Sequence, residues 1–260
     1  MPVLQLQKIN HFFGGLHAVR SFSLDIGEGE LRGLIGPNGA GKTTLFNLVS
    51  GFYRPSEGDI LLKGKPIAGL RPHQVTALGL ARTFQNIRMW NSMTVMENLC
   101  IPQHAHLGYG LLDTILGSRR FVENEKRIRS TALEMLEILE LREFAAEYPK
   151  NLPYGLQRRV EIGRALVLKP RLLLLDEPAA GMNPSDIDKL IELIRWIRDQ
   201  FKLTLWLIEH QMKVVMSVCE AITVLDFGQI IAEGRPDDIR NNPAVIRAYL
   251  GDEGISDARG

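Results

Sequence analysis

Gly36-Pro37-Asn38-Gly39-Ala40-Gly41-Lys42-Thr43 constrains this chain more than any other stretch. It fits the pattern G-x-x-x-x-G-K-[ST]. A compact apolar run, Leu31 to Ile35, precedes it, and Thr43 to Ser50 follows at helical spacing. Strand, glycine-rich loop and helix in that order build an anion site from backbone. Glycines let the chain curl so that successive N–H groups face one anion, and a helix opening near Gly41 adds the positive end of its dipole. The pattern expects Lys42 to bridge the β- and γ-phosphates of a nucleoside triphosphate and the Thr43 hydroxyl to reach Mg2+. The expected phosphate contacts are therefore Gly36, Pro37, Asn38, Gly39, Ala40, Gly41, Lys42, Thr43 and Thr44. Gly51 is placed to end the helix as a C′ residue.

A second signal lies downstream. Leu172 to Leu175 reads as a buried strand ending in Asp176-Glu177. Ligands of parallel α/β sheets gather at the carboxyl ends of strands. The acid pair is thus expected at the same site, with Asp176 holding Mg2+, partly through water, and Glu177 accepting a proton from an attacking water or polarising it.

Further strands are expected near Val3 to Ile9, Ser21 to Ile26, Ile60 to Leu62, Leu203 to Ile208, Ala221 to Leu225 and Gln229 to Ala232. Helices are expected over Gln157 to Leu168, Ser185 to Gln200 and Met212 to Val218, with Asn183 or Ser185 capping the second and Pro184 near its start. Strands alternating with helices imply an α/β fold with a parallel sheet covered on both faces. Asn86 to Asn151 has another texture. It has few β-branched runs, looks irregular from His104 to Ser118, and carries a helix from Glu123 to Leu141 with Ile128, Ala132, Met135, Leu136 and Leu139 on one face. It reads as a helical lobe set into the α/β domain.

Composition removes several function classes. With 31 basic and 30 acidic side chains the net charge is +1, which argues against a broad nucleic-acid-binding face. Leu172 to Leu175 is far shorter than the roughly 20 residues of a membrane helix, and Met1 to Asn10 has no signal-peptide pattern. A soluble cytosolic chain is expected. Cys100 and Cys219 lie far apart, without metal-ligand spacing, and read as two buried thiols in a reduced compartment.

With these motifs in this order, from about Val3 to Gly251, the chain resembles the nucleotide-binding subunits of ABC transporters. The resemblance implies a P-loop NTPase core with a parallel sheet, an antiparallel β portion and an inserted helical subdomain. The expected division is 1–85 with 158–240 for the core, 86–157 for the helical subdomain and 241–260 for a C-terminal tail. It also implies ATP and Mg2+ as ligands. Phe13, before Gly14-Gly15, matches the aromatic that stacks on adenine, with Phe12 as a rival. Gln85, in Arg82-Thr83-Phe84-Gln85, matches the glutamine that approaches Mg2+ and the attacking water. His210, in Ile208-Glu209-His210, matches the switch histidine at the γ-phosphate. Lys42, Gln85, Glu177 and His210 are then the catalytic set, and Thr43, Gln85 and Asp176 the metal set.

Leu152-Pro153-Tyr154-Gly155-Leu156 stands where the family has Leu-Ser-Gly-Gly-Gln, a segment that faces the partner's ATP across a head-to-tail dimer. Pro153 has neither a hydroxyl nor an N–H, so two phosphate donors are lost there. Tyr154 and Gly155 are the remaining expected contacts, and Asn183 replaces a common aspartate at the same interface. One strong site in a heterodimer with a second ATPase is the expectation, and a homodimer is the alternative. Arg82 to Gln85, Met93-Thr94-Val95, Glu97-Asn98-Leu99, Glu177 to Pro184, Asn241-Asn242-Pro243 and Tyr249-Leu250-Gly251 together look most like the first ATP-binding subunit of branched-chain amino acid importers. Urea- and amide-importing members look similar. Implied partners are two membrane permease subunits and, indirectly, a periplasmic solute-binding protein, at the inner face of the cell membrane. A lipopolysaccharide-export ATPase and a soluble non-transport ABC ATPase are the competing readings.

Overall fold

The computed structural model describes residues 2–106 and 110–250. Part of the His104 to Ser118 stretch, Gly251 and the rest of the C-terminal tail lie outside the described residues. The chain divides into two compact units, one of Met1–Arg82 with Arg171–Gly260 and one of Thr83–Pro170.

The first unit opens with β1 (Leu4–Phe13), β2 (Leu16–Ile26), β3 (Leu31–Ile35), α1 (Lys42–Val49), β4 (Glu57–Leu62), β5 (Lys65–Pro66), α2 (Pro72–Ala77) and β6 (Leu80–Arg82). The second holds α3 (Val95–Cys100), α4 (Leu111–Ile115), α5 (Arg119–Ile138) and α6 (Tyr154–Leu166). The first resumes with β7 (Leu172–Asp176), α7 (Pro184–Phe201), β8 (Thr204–Ile208), α8 (Met212–Val218), β9 (Ala221–Asp226), β10 (Gln229–Gly234), α9 (Pro236–Arg240) and α10 (Pro243–Leu250).

The first unit carries two sheets. One is antiparallel, in the order β2-β1-β4-β5. The other runs β10-β9-β3-β8-β7-β6 and is parallel except for β10. Burial explains the difference in sequence texture. Every residue of β7 and β8 is buried, so these strands read as continuous apolar runs. In β1, Leu4, Leu6 and Ile9 face the core while polar residues between them do not. Helix α7 buries Ile187, Leu190, Ile191, Ile194 and Ile197 along one stripe. Asn183 caps it, accepting the N–H of Asp186 at 2.9 Å, with Pro184 in the first turn.

In the second unit α5 buries Ile128, Ala132, Met135 and Leu136. The expected boundary after residue 157 differs from the observed division. Helix α6 begins at Tyr154 and stays whole in the helical unit, because its buried residues pack on α3 and α5. The unit also starts at Thr83, so it includes Gln85. The stretch read as irregular holds the short helix α4 and a 3-10 helix over Ile101–His106. Cys219 is buried as expected, but Cys100 is only partly so. Among the described residues no helix is long and apolar enough to cross a membrane.

Candidate functional site

Three neighbouring strands of the parallel sheet bring the expected residues of the first unit together. The order β3-β8-β7 sets the phosphate loop, Glu209-His210 and Asp176-Glu177 at successive strand ends. Leu34 is in register with Ile208, and Ile208 with Asp176. Adjacent strands are about 4.8 Å apart. The three loops therefore leave one carboxyl edge within roughly 10 Å of one another.

The loop itself is shaped by backbone contact. Gly36 has φ 153°, and a Cβ there would lie 2.0 Å from the Leu225 carbonyl oxygen. Gly41, the N-cap of α1, has φ 105°, and a Cβ there would lie 2.7 Å from the carbonyl oxygen of Ala18. No other residue type fits either position. Lys42 is buried and donates to the carbonyls of Gly36 at 2.6 Å and Pro37 at 2.8 Å. Burial lowers its pKa, while the carboxylates of Glu177 and Asp176 pull it back up. Its ammonium is thus held by the loop's own carbonyls. Thr43 is exposed at the start of α1 and Thr44 is half-buried beside it.

Asp176 is nearly sealed. Its Oδ2 accepts from Arg82 Nη2 at 2.7 Å. Arg82 also donates to Asn47 Oδ1 at 2.8 Å and Ser50 Oγ at 3.2 Å, and lies over the rings of Phe46 and Phe52. Sequence reasoning assigned Arg82 no role. Its motif marked the place, but a partner 94 positions away is not visible in spacing. Glu177 has φ 45°, the left-handed region, which turns the chain sharply at the strand end. Its Oε2 lies 3.5 Å from Nδ1 of the half-exposed His210. A carboxylate and an imidazole from adjacent strand ends thereby face each other beside the phosphate loop.

Glu209 was also missed. Fully buried, it accepts the N–H of Ala179 at 2.8 Å and those of His210 and Gln211 at 3.0 Å each. Gln211 donates back to the Ala179 carbonyl at 3.0 Å. These bonds tie the loop after β7 to the loop after β8 and fix the backbone that carries both Glu177 and His210. An acid at the end of a fully buried strand was the available signal. Asn183, expected at a partner interface, here spends its side chain on Asp186, accepting from the N–H and donating to Oδ2 at 2.8 Å.

The two rivals at the end of β1 point apart. Phe12 stacks on His17 at 4.0 Å, whereas Phe13 meets His11 and Tyr53 edge-on at 4.6 and 5.4 Å. Both rings are about half exposed. His11 is buried behind Phe13, and burial lowers its pKa against the opposing pull of the Arg54 backbone.

In the helical unit, Pro153 precedes α6 as its N-cap without a side-chain bond, and Tyr154 and Gly155 form the first turn. The Tyr154 hydroxyl accepts from Arg158 Nη2 at 3.1 Å. Gln85 is exposed, in an irregular segment held by buried side chains of α6. One of these is Glu161, whose carboxyl is pushed up by burial against the pull of Arg158.

The chain is similar to known proteins over nearly its whole length. The ABC transporter family model matches residues 19–180, and a model of branched-chain amino acid ATP-binding cassette transporters matches residues 229–255. The chain is 45% identical over 251 residues to the high-affinity branched-chain amino acid transport ATP-binding protein BraF of Pseudomonas aeruginosa, covering 96% of this chain and 98% of the relative. The same figures hold for LivG of Escherichia coli K12. A nucleotide-free ATP-binding cassette from an ABC transporter superposes with a TM-score of 0.84 at 31% identity, covering 97% of this chain and 100% of that one. An ADP-bound cassette of an ABC transporter matches with the same TM-score at 30% identity, covering 97% and 100%. The loop around Lys42, the strand-end carboxylates and the likeness over nearly the whole length lead to one conclusion: the chain belongs to the ABC transporter family, as one of its ATP-binding, ATP-hydrolysing subunits.

Proposed function

We propose that the chain powers an importer of branched-chain amino acids or related small solutes such as urea or amides, as one member of an ATPase heterodimer beneath two membrane permease subunits. It would sit at the cytoplasmic face of the membrane and meet the periplasmic solute-binding protein only through the permeases. The observation that carries the catalytic part is the meeting of Glu177 and His210 at 3.5 Å beside the Lys42 loop. Lys42, Thr44 and the loop N–H groups hold the phosphates. Phe13 stacks on adenine, backed by His11 and Tyr53. Glu177 takes the proton of the attacking water, and His210 meets the γ-phosphate. Gln85 orients that water.

The donors also fit Mg2+, a hard cation that takes oxygen ligands and relies on substrate phosphates for the rest. The Thr43 hydroxyl and Asp176 would hold it. Arg82 pairs with Oδ2 of Asp176, so the metal would share this carboxylate with a guanidinium. When bound, Mg2+ supplies charge neutralisation across the β- and γ-phosphate oxygens.

A groove of about 540 Å³ in the helical unit supports the membrane partner. Its apolar lining, including Met93, Met96, Ile101, Phe121 and Val122, suits a helix from a permease subunit. The likeness to branched-chain transport proteins supports the solute class.

Leucine uptake by cells lacking the chain tests that class. Wild-type chain should restore it and Glu177→Gln should not. Restored uptake of urea but not leucine would reassign the solute. Pairing is tested by co-expressing two differently tagged copies with the membrane subunits. A heterodimer yields complexes with one tag, and recovery of both tags in one complex contradicts it.

A further inference from the structure

Between Thr83 and Thr94 the chain forms neither helix nor strand, yet its backbone is gripped from one face of α6. Arg158, Glu161 and Arg164 stand at i, i+3 and i+6, so they share that face. Arg158 donates to the carbonyls of Phe84 at 2.8 Å and Gln85 at 3.0 Å. Glu161 pairs with Arg158 at 2.6 Å and accepts the Phe84 N–H at 3.1 Å. Arg164 donates to the Arg88 carbonyl and lies 4.2 Å over the Trp90 ring. Arg158 and Glu161 are both buried.

The planar guanidinium of Arg158 meets four acceptors at once, the Phe84 and Gln85 carbonyls, the Glu161 carboxylate and the Tyr154 hydroxyl; an ammonium has three donors and cannot meet all four. Sealed from water, such a pair allows little play, because any bond it loses leaves a buried charge unsatisfied. Arg158 also reaches Tyr154 in the first turn of α6.

We propose that Arg158 and Glu161 are positioning residues that make Gln85 and the start of α6 one rigid body. The proposal rests on the proposed role of Gln85.

The test is ATP hydrolysis by the chain assembled in its transporter, comparing Arg158→Lys, Glu161→Gln, Gln85→Ala and the double variant Arg158→Lys/Gln85→Ala. Glu161→Gln keeps the size of the side chain and the acceptor for Phe84, so it tests the grip even if Arg158→Lys does not fold. Arg158→Lys and Glu161→Gln should each lower kcat about ten- to a hundredfold, with KM for ATP within about twofold of wild type. Adding Arg158→Lys to Gln85→Ala should cost nothing further. A merely structural pair gives multiplying losses in the double variant, or a risen KM, and either overturns the proposal. Wild-type rates in both grip variants, with Gln85→Ala slow, overturn the grip alone. An unchanged rate in Gln85→Ala overturns the role of Gln85 beneath it.

Discussion

The glycine-rich loop of the α/β unit and the Gln85 segment of the helical unit both hold expected site residues outside regular structure, but by opposite means. The loop is held by main chain. Gly36 lies against the Leu225 carbonyl, Gly41 against that of Ala18, and strand register aligns it with the carboxylates. The Gln85 segment is held by side chains reaching from α6, 73 and 74 positions away. A site held by backbone leaves a spacing of glycines in the sequence. A site held by remote side chains leaves only scattered charges that look solvated until the fold buries them.

The largest effect should come from the backbone-held site. Lys42→Ala removes a buried ammonium and a charge-assisted phosphate contact. ATP affinity, read by titration, should fall about a hundredfold or more, corresponding to roughly 3 kcal/mol. Retained affinity would mean that the loop amides alone carry binding.

Arg82→Leu is next. It removes a guanidinium from a nearly sealed carboxylate and should cost about 3–5 kcal/mol of folding stability in urea melts. Combining it with Asp176→Asn should return part of the loss, since the buried negative charge is gone. A double variant no more stable than Arg82→Leu would show that the ion pair is not what matters there.

Gly163→Ala, in the helical unit, should be the mildest. An added Cβ would lie 2.7 Å from Leu139 Cδ1, a side-chain tip that can turn, whereas at Gly36 the obstacle is a carbonyl. Helix propensity gains about 1 kcal/mol against overpacking of similar size, so stability should change by less than about 1 kcal/mol. A loss of several kcal/mol would mean that the helical unit is as unyielding as the loop.

What was legible follows the same division. The strand, loop and helix around Lys42 and the acid pair after β7 could be read because their neighbours in space are also neighbours in sequence or lie at the ends of apolar runs. The short strand β6, the helix α2 and the grip of α6 on residues 84–88 could not. β6 has three residues, too few to show a period, and it depends on pairing with β7. Helix α6 was expected to start at Gln157 because Pro153 hides its cap; it starts at Tyr154. Glu209 looked like part of a histidine motif, and only the fold reveals that its carboxylate gathers three backbone N–H groups.

The most direct measurement is ATP binding and single-turnover hydrolysis by Glu177→Gln in the assembled transporter. The amide cannot act as a base, while the Lys42 loop is untouched. ATP affinity should stay within about twofold of wild type, and hydrolysis should slow about a hundredfold or more. Equal loss of binding and turnover, or turnover at the wild-type rate, would contradict Glu177 as the group that activates water at this strand edge.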